Sequence, residues 1–242
     1  MSSPIKTISI IIPCFNEEKT IDLLLQKVIS ADTAHLNKEI IVIDDGSTDS
    51  SREKILKNKY IAKYILNEMN QGKGASIQKA IEIASGDIFL IQDADLEYSP
   101  DDYIHMIRPI LNSESNIVYG ARRTKHLNRL PWSFAARVLF TYFVNLLYGS
   151  RLSDLNTCYK LFKREVFNNI ILDSKGFGFC SEVTIKALLN GEKIIEVDID
   201  YSPREKKEGK KISPIDGFPI LFNIFYYRVF YREKPQRHFD EV

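Results

Sequence analysis

Along the first 120 positions the apolar residues keep two alternating rhythms. Ile8 to Ile12 is a β-branched run interrupted by Ser9 and ended by Pro13, the pattern of a strand covered on both faces. Ile21, Leu24, Leu25 and Val28 then recur at i, i+3, i+4 and i+7, which predicts an amphipathic helix. Glu39 to Ile43 repeats the strand rhythm and runs directly into Asp44-Asp45-Gly46-Ser47. A helix is predicted through about Lys59, a weaker strand at 64–66, and a helix over 72–84 with Ile77, Ala80, Ile81 and Ala84 on one face. Two more strands follow, at 87–91 and 116–119, and the second closes the series. Strands alternating with helices imply βαβ units with right-handed crossovers, hence an α/β fold on a mostly parallel, Rossmann-like sheet flanked by helices.

The second half has a different texture. Residues 132–148 and 218–231 are apolar and aromatic, but Arg137, Asn145 and Arg228 interrupt them. Neither is long enough to span a bilayer as an uninterrupted apolar helix. Both suit the core of a globular protein, and both suit a bilayer interface with Trp, Tyr and Arg at headgroup depth. The expectation is a principal domain at 1–217 and a C-terminal amphipathic segment at 218–242 that associates with membranes.

Composition narrows the class. The 242 residues are 44% apolar and 27% charged, which excludes a disordered or fibrous chain. A formal charge of +1 gives no global field for nucleic acid. The charge is unevenly spread, however. Residues 1–120 hold 12 Lys and Arg against 18 Asp and Glu, and residues 121–242 hold 21 against 14. An acidic half facing a basic half suits a cation site beside an anionic substrate. Cys14, Cys158 and Cys180 are odd in number and lack metal spacing, so they read as reduced thiols. With no leader pattern in MSSPIKT, the expected location is cytoplasmic, with peripheral contact at the cytoplasmic membrane face.

In open parallel sheets, ligands bind outside the carboxyl ends of the strands. Asn16-Glu17, Asp44-Asp45 and Asp93-Ala94-Asp95 each follow a predicted strand directly, so three acidic clusters converge on one edge. Asp93 and Asp95, two residues apart, can meet one hard cation such as Mg2+ or Mn2+. Asp44 and Asp45 suit hydrogen bonds from ribose hydroxyls or a base N–H. Gly72-Lys73-Gly74 lacks the further glycine and the Ser or Thr of a Walker loop, and no GxGxxG or GxSxG occurs. His35, His105, His126 and His238 are scattered. These ingredients suit group transfer from a nucleoside diphosphate donor, where a metal neutralises the departing diphosphate.

Seven segments in order, IIPCFNEEKTI, IIVIDDGSTD, NQGKGAS, SGDIFLIQDADLEYSP, YGAR, SDLNTCYKLF and YSPREKKEGKKIS, resemble family-two glycosyltransferases of the GT-A fold. Within that family the likeness is to the dolichol- or polyprenyl-phosphate mannose synthase branch. The resemblance implies transfer of a hexose from a nucleotide-sugar such as GDP-mannose or a UDP-hexose to a lipid-linked phosphate. It implies that Pro13, Phe15 and Glu17 line the nucleotide pocket, that Ile43 and Asp45 contact base and ribose, and that Lys73 belongs to the donor site. Asp93 and Asp95 would ligate the metal, Ala94 would touch the nucleotide through its backbone, and Glu97 would stand where relatives have a further ligand. Arg122 would hold phosphate or sugar, and Arg204 and Lys211 would close over phosphate groups. Thr157-Cys158-Tyr159 and EGKKIS depart from the branch pattern on the acceptor side.

An acceptor phosphate monoester is already largely dianionic at neutral pH, its second pKa lying near ~6, and needs little general-base help. A saccharide hydroxyl needs a base, for which Asp154 and Glu182 are the candidates. Polysaccharide synthesis on a sugar acceptor is therefore the alternative activity, and a non-catalytic nucleotide-binding module the alternative of another class.

Overall fold

The computed structural model describes residues 4–122, 131–204 and 217–231, with residues 131–134 described by backbone only. Seven strands form one sheet in the order β3-β2-β1-β4-β6-β5-β7. They are β1 (Thr7–Cys14), β2 (Asn37–Asp44), β3 (Lys63–Leu66), β4 (Ile88–Ile91), β5 (Ile117–Arg122), β6 (Lys160–Lys163) and β7 (Ile194–Ile199). The helices are α1 (Ile21–Ser30), α2 (Ser51–Lys57), α3 (Lys73–Ile83), α4 (Tyr103–Leu111), α5 (Pro131–Tyr148), α6 (Phe179–Leu189) and α7 (Gly217–Phe230).

The period-two rhythm of β1 divides its isoleucines between two cores. Ile8, Ile10 and Ile12 pack with Leu24, Leu25 and Val28 of α1 and with Met106 and Ile107 of α4. Ile11 joins Ile41 and Ile43 against Ile77, Ala80 and Ile81 of α3 and Val183 of α6. Both faces of the sheet are covered, as expected for β-branched runs without polar alternation. A third cluster joins α5, α6 and α7 through Phe140, Val144, Ile185, Ile220, Ile224 and Tyr227.

β1 pairs in parallel with β2 on one side and with β4 on the other. Chain order therefore reverses at β1, and a crevice opens outside the carboxyl ends of β1 and β4. The segments at 15–18, 45–47 and 92–97 flank it.

The series of strands does not close at 116–119. β6 enters antiparallel between β4 and β5, and β7 adds in parallel beside β5. Four residues of β6 carry too little periodicity to announce a strand, and its place in the sheet is set by partners more than forty positions away. Helix α4 lies outside the predicted elements, although Tyr103, Met106, Ile107 and Ile110 keep helical spacing around Pro109.

At the amino end of the sheet, polar groups are tied down. Glu39 accepts hydrogen bonds from Ser9 Oγ at 2.5 Å, from Ser85 N at 2.8 Å and from Ser85 Oγ at 2.6 Å, and pairs with Lys63 at 2.8 Å. Asp87 accepts from the amides of Lys6 and Thr7 at 2.7 and 2.9 Å.

Helices α5 and α7 each have a packed side and an open side. Their inner sides are core, while Leu139, Tyr142 and Leu146 of α5 and Phe218, Phe222, Phe225, Val229 and Phe230 of α7 are exposed. Phe143 and Phe225 meet edge to face at 5.7 Å, joining the two outer sides. Among the described residues no helix is long and apolar enough to cross a membrane.

Candidate active site

The loops after β1 and β2 are laced together before any site residue is placed. Asn16 N donates to Ser47 Oγ at 2.9 Å, Thr48 N to Asn16 Oδ1 at 2.8 Å, and Glu17 N to Ser51 Oγ at 2.8 Å. Asn16 itself takes a positive φ of 51°, a conformation that Asn tolerates better than most residues. This lacing turns Glu17 over the crevice toward the loop after β4.

That loop carries three carboxylates within five residues. Asp93 pairs with Lys73 from the start of α3. Asp95 accepts a hydrogen bond from Glu97 N at 3.1 Å. Burial, reinforced by the negative charges of Asp93 and Glu97, pushes the Asp95 carboxyl up to about 7. Glu97 accepts from Tyr201 Oη at 2.6 Å and from Arg204 N at 2.8 Å. Opposite them, Lys73 is held well above its usual range: burial alone would lower it, but Asp93, Cys158 and Cys180 outweigh that.

Arg204 spans the crevice. Its guanidinium forms a two-pronged pair with Glu17 at 3.1 and 2.8 Å, and its Nε donates to the backbone carbonyl of Asp95 at 2.8 Å. Arg122 forms a comparable fork on Asp154, at 2.5 and 2.8 Å, and its guanidinium lies 5.1 Å from the ring centroid of Tyr201. Thus Lys73, Asp93, Asp95, Glu97, Glu17, Arg204 and Arg122 gather at one rim, joined by ion pairs and by Tyr201. Lys211 lies outside the described residues.

Other expected contacts are taken up inside the protein. Asp44 is fully buried, paired with Arg52 at 2.8 Å. Asp45, also buried, accepts from Asn67 Nδ2 at 2.8 Å and from the amides of Gln71 and Gly72 at 3.0 and 2.8 Å. Asp45 thereby fixes the turn that presents Lys73, and Asp44 anchors α2; their contact with ribose stands as a proposal. The Ile43 side chain belongs to the core. Pro13 and Phe15 are half-buried beside the crevice, and Ala94 is buried.

The two candidate bases both stand in internal pairs. Asp154 is buried, holds Arg122, and lies 3.4 Å from Arg137. Glu182 is fully buried and accepts from Lys186 Nζ at 2.5 Å, Tyr227 Oη at 2.9 Å and the amides of Asp173 and Ser174 at 2.8 and 2.7 Å. Its Oε1 takes three of these donors and its Oε2 the amide of Ser174.

Sequence reading missed Tyr201, which links Glu97 to Arg122, and the approach of Cys158 and Cys180, whose sulfurs lie 3.8 Å apart. Tyr201 stands in the quoted YSPR segment and follows an alternating run, which was the available signal. The thiols, 22 positions apart, carried none.

The carboxylate rim matches the oxygen-donor chemistry of Mg2+ or Mn2+. Asp93 and Asp95 are the fitting pair, because burial, reinforced by the charges of Asp93 and Glu97, leaves the Asp95 carboxyl near 7, where a cation would ionise it. Among the described residues no three His, Cys, Asp or Glu side chains already surround one point; Glu97 is turned to Tyr201.

The profile of glycosyl transferase family 2 matches residues 9–171. A dolichol-phosphate mannosyltransferase of Pyrococcus furiosus is 30% identical over 210 residues, covering 84% of this chain and 58% of that protein. The chain therefore spans little more than half of that relative's length. A UDP-N-acetylglucosamine–dolichyl-phosphate N-acetylglucosaminyltransferase of Methanococcus voltae is 29% identical, covering 90% of this chain and 95% of that one. Among solved structures, glucosyl-3-phosphoglycerate synthase of Mycobacterium tuberculosis with Mn2+, UDP and phosphoglyceric acid superposes with a TM-score of 0.72. That match has 20% identity and covers 93% of this chain and 79% of that one.

Proposed function

The chain belongs to glycosyl transferase family 2, and from that premise we propose that it moves a hexose from a nucleotide-sugar onto a polyprenyl or dolichyl phosphate, with inversion at the anomeric carbon. The observation that carries this reading is the rim after β4. Three carboxylates stand there beside Lys73, Arg122 and Arg204, on a sheet edge where parallel-sheet proteins bind nucleotides. Relatives named for dolichyl- and undecaprenyl-phosphate acceptors support the acceptor class.

Asp93 and Asp95 are the residues that would hold Mg2+ or Mn2+. Bound there, such an ion supplies Lewis-acid neutralisation of the departing diphosphate. The division of labour among the chain's own groups follows. Lys73 and Arg204 supply positive charge to the donor phosphates once Asp93 and Glu17 release them. Arg122, held rigid by Asp154, offers a fixed fork to a phosphate or to sugar hydroxyls. A phosphate dianion attacks the anomeric carbon without a base, in keeping with Asp154 and Glu182 both being engaged. The same engagement tells against a saccharide acceptor.

The exposed aromatic face of α5 and α7 is assigned to lipid contact. An apolar surface of this extent is unusual on a protein that meets only water. Its occupant is read as an anionic bilayer, because Arg228 of α7 and Arg151, three residues beyond α5, are exposed.

The test is a screen of nucleotide-sugars against a polyprenyl phosphate with Mn2+, read by mass spectrometry. A lipid-linked hexose is expected. Transfer only to free saccharides would replace the acceptor, and absence of transfer, donor hydrolysis and metal-dependent nucleotide binding together would leave a non-catalytic module. On liposomes containing anionic lipid, Phe222→Ser is expected to lower the partition coefficient about tenfold by removing one inserted aromatic side chain.

A further inference from the structure

We infer that Glu182 is a positioning residue that carries the seating of helix α7 to the Lys73 turn at the donor edge, an inference that rests on the donor reading above. The carboxylate joins three elements. It sits in the first turn of α6, accepts the Tyr227 hydroxyl of α7 at 2.9 Å, and receives the amides of Asp173 and Ser174 at 2.8 and 2.7 Å. Lys186, itself 2% exposed, neutralises it from one helical turn away at 2.5 Å. A charge desolvated this completely holds its partners firmly, because losing one leaves a buried ion short of a donor.

The segment pinned by Glu182 is the bed of α3. Ala75 N donates to Lys175 O at 2.9 Å, and Gln78 Nε2 to Ser174 O at 3.0 Å. Gly72 and Gly74 lie so close that an added Cβ would stand 2.5 Å from Lys175 O and 2.2 Å from Ser174 O. Gly72 also takes a φ of 98°, which favours glycine. Between these two glycines sits Lys73, the partner of Asp93. The turn is thus gripped on one side by Asp45 and on the other by the segment that Glu182 holds.

Asn223 of α7 makes a parallel link, donating to Gly178 O at 3.0 Å and approaching Ser181 Oγ at 3.1 Å. The opposite side of α7 is the exposed aromatic face. A small rotation of α7 as that face meets lipid moves the Tyr227 hydroxyl, hence the Glu182 carboxylate, hence the bed under Lys73. Donor affinity and lipid affinity are then coupled, and by linkage each raises the other by the same factor.

The experiment measures GDP and UDP binding with Mn2+ by calorimetry, with and without vesicles of phosphatidylcholine and phosphatidylglycerol. It uses the full chain, Tyr227→Phe, Glu182→Gln and Lys73→Met. Vesicles are expected to tighten diphosphate binding by about fivefold or more, and bound diphosphate to tighten vesicle partition equally. Tyr227→Phe keeps its vesicle partition without nucleotide but loses the response, while Glu182→Gln weakens diphosphate binding even without vesicles. An unchanged vesicle response in Tyr227→Phe, or no response in the wild-type chain, overturns the coupling. Lys73→Met distinguishes the deeper failure: if it leaves diphosphate affinity unchanged, the donor reading itself falls. Should Glu182→Gln fail to fold, Tyr227→Phe, which removes one oxygen, still decides.

Discussion

The two ends of the sheet hold the same chemical group in opposite conditions. At the amino end Glu39 is buried, which alone would raise its pKa, yet hydrogen bonds from Lys63, Ser85 and Ser9 outweigh burial and bring it down to about 2. At the carboxyl end Asp95 is half-buried, and that burial together with the charges of Asp93 and Glu97 pushes it up to about 7. The difference is one of supply. Glu39 is given as many donors as it can use, whereas the Asp95 rim gathers negative charge faster than the protein provides positive charge. A carboxylate with its donors in place holds a fold together; a group of carboxylates short of positive charge is poised for a cation.

The strongest way to break this comparison is Asp95→Asn. Transfer is expected to fall about 10^3-fold or more, the scale for losing a group that stabilises transition-state charge. Its melting temperature above pH 7 should hold or rise. Transfer that survives, or a collapse in melting temperature, would erase the distinction between the two ends.

Glu39→Gln should do the reverse. Stability is expected to drop by about 1–3 kcal/mol, because Lys63 and Ser85 lose a charged acceptor, while transfer at 25 °C stays at the wild-type rate. The folded-state pKa of Glu39 lies below its unfolded value, so its stabilisation is present above pH ~4.5 and is lost as pH falls toward 2. Urea denaturation at pH 7 and pH 3 should therefore show the mutational cost shrinking at the lower pH.

A smaller effect sharpens the contrast from the metal side. Asp95 has its folded-state pKa raised, so the folded protein binds the extra proton between pH ~4 and 7, and this group's contribution to stability declines as pH rises through that window. Mn2+ competes with the same proton. Its stabilisation, read as a shift in melting temperature of a few degrees, should be greater at pH 8 than at pH 6 and absent in Asp95→Asn. Equal shifts at both pH values would place the ion elsewhere.

Much of the carboxyl edge was legible in the sequence, because each acidic cluster begins within two residues of its strand's end. Asp93, Asp95, Glu97, Lys73, Glu17, Arg122 and Arg204 do assemble there. What the pattern did not reveal was how they are paired. Asp44 and Asp45 look equivalent to the half-buried pair at 93 and 95, yet Arg52 and Asn67 pair with them. Glu182 looked like a base at a helix start; the Lys186 four residues on was a local hint of an ion pair, but Tyr227 was not.

By itself the sequence determined the alternation of strands and helices, the double covering of the sheet and the position of the DxD segment. Each of these follows from side-chain periodicity and chain adjacency, which neighbouring residues encode. Only the tertiary structure decided that β6 runs antiparallel inside the sheet, that Arg204 reaches Glu17 from 187 positions away, and that α7 touches the carboxylate beneath the Lys73 turn. Pairings of that kind depend on which surfaces meet after the chain has closed long loops, and no local rhythm records them.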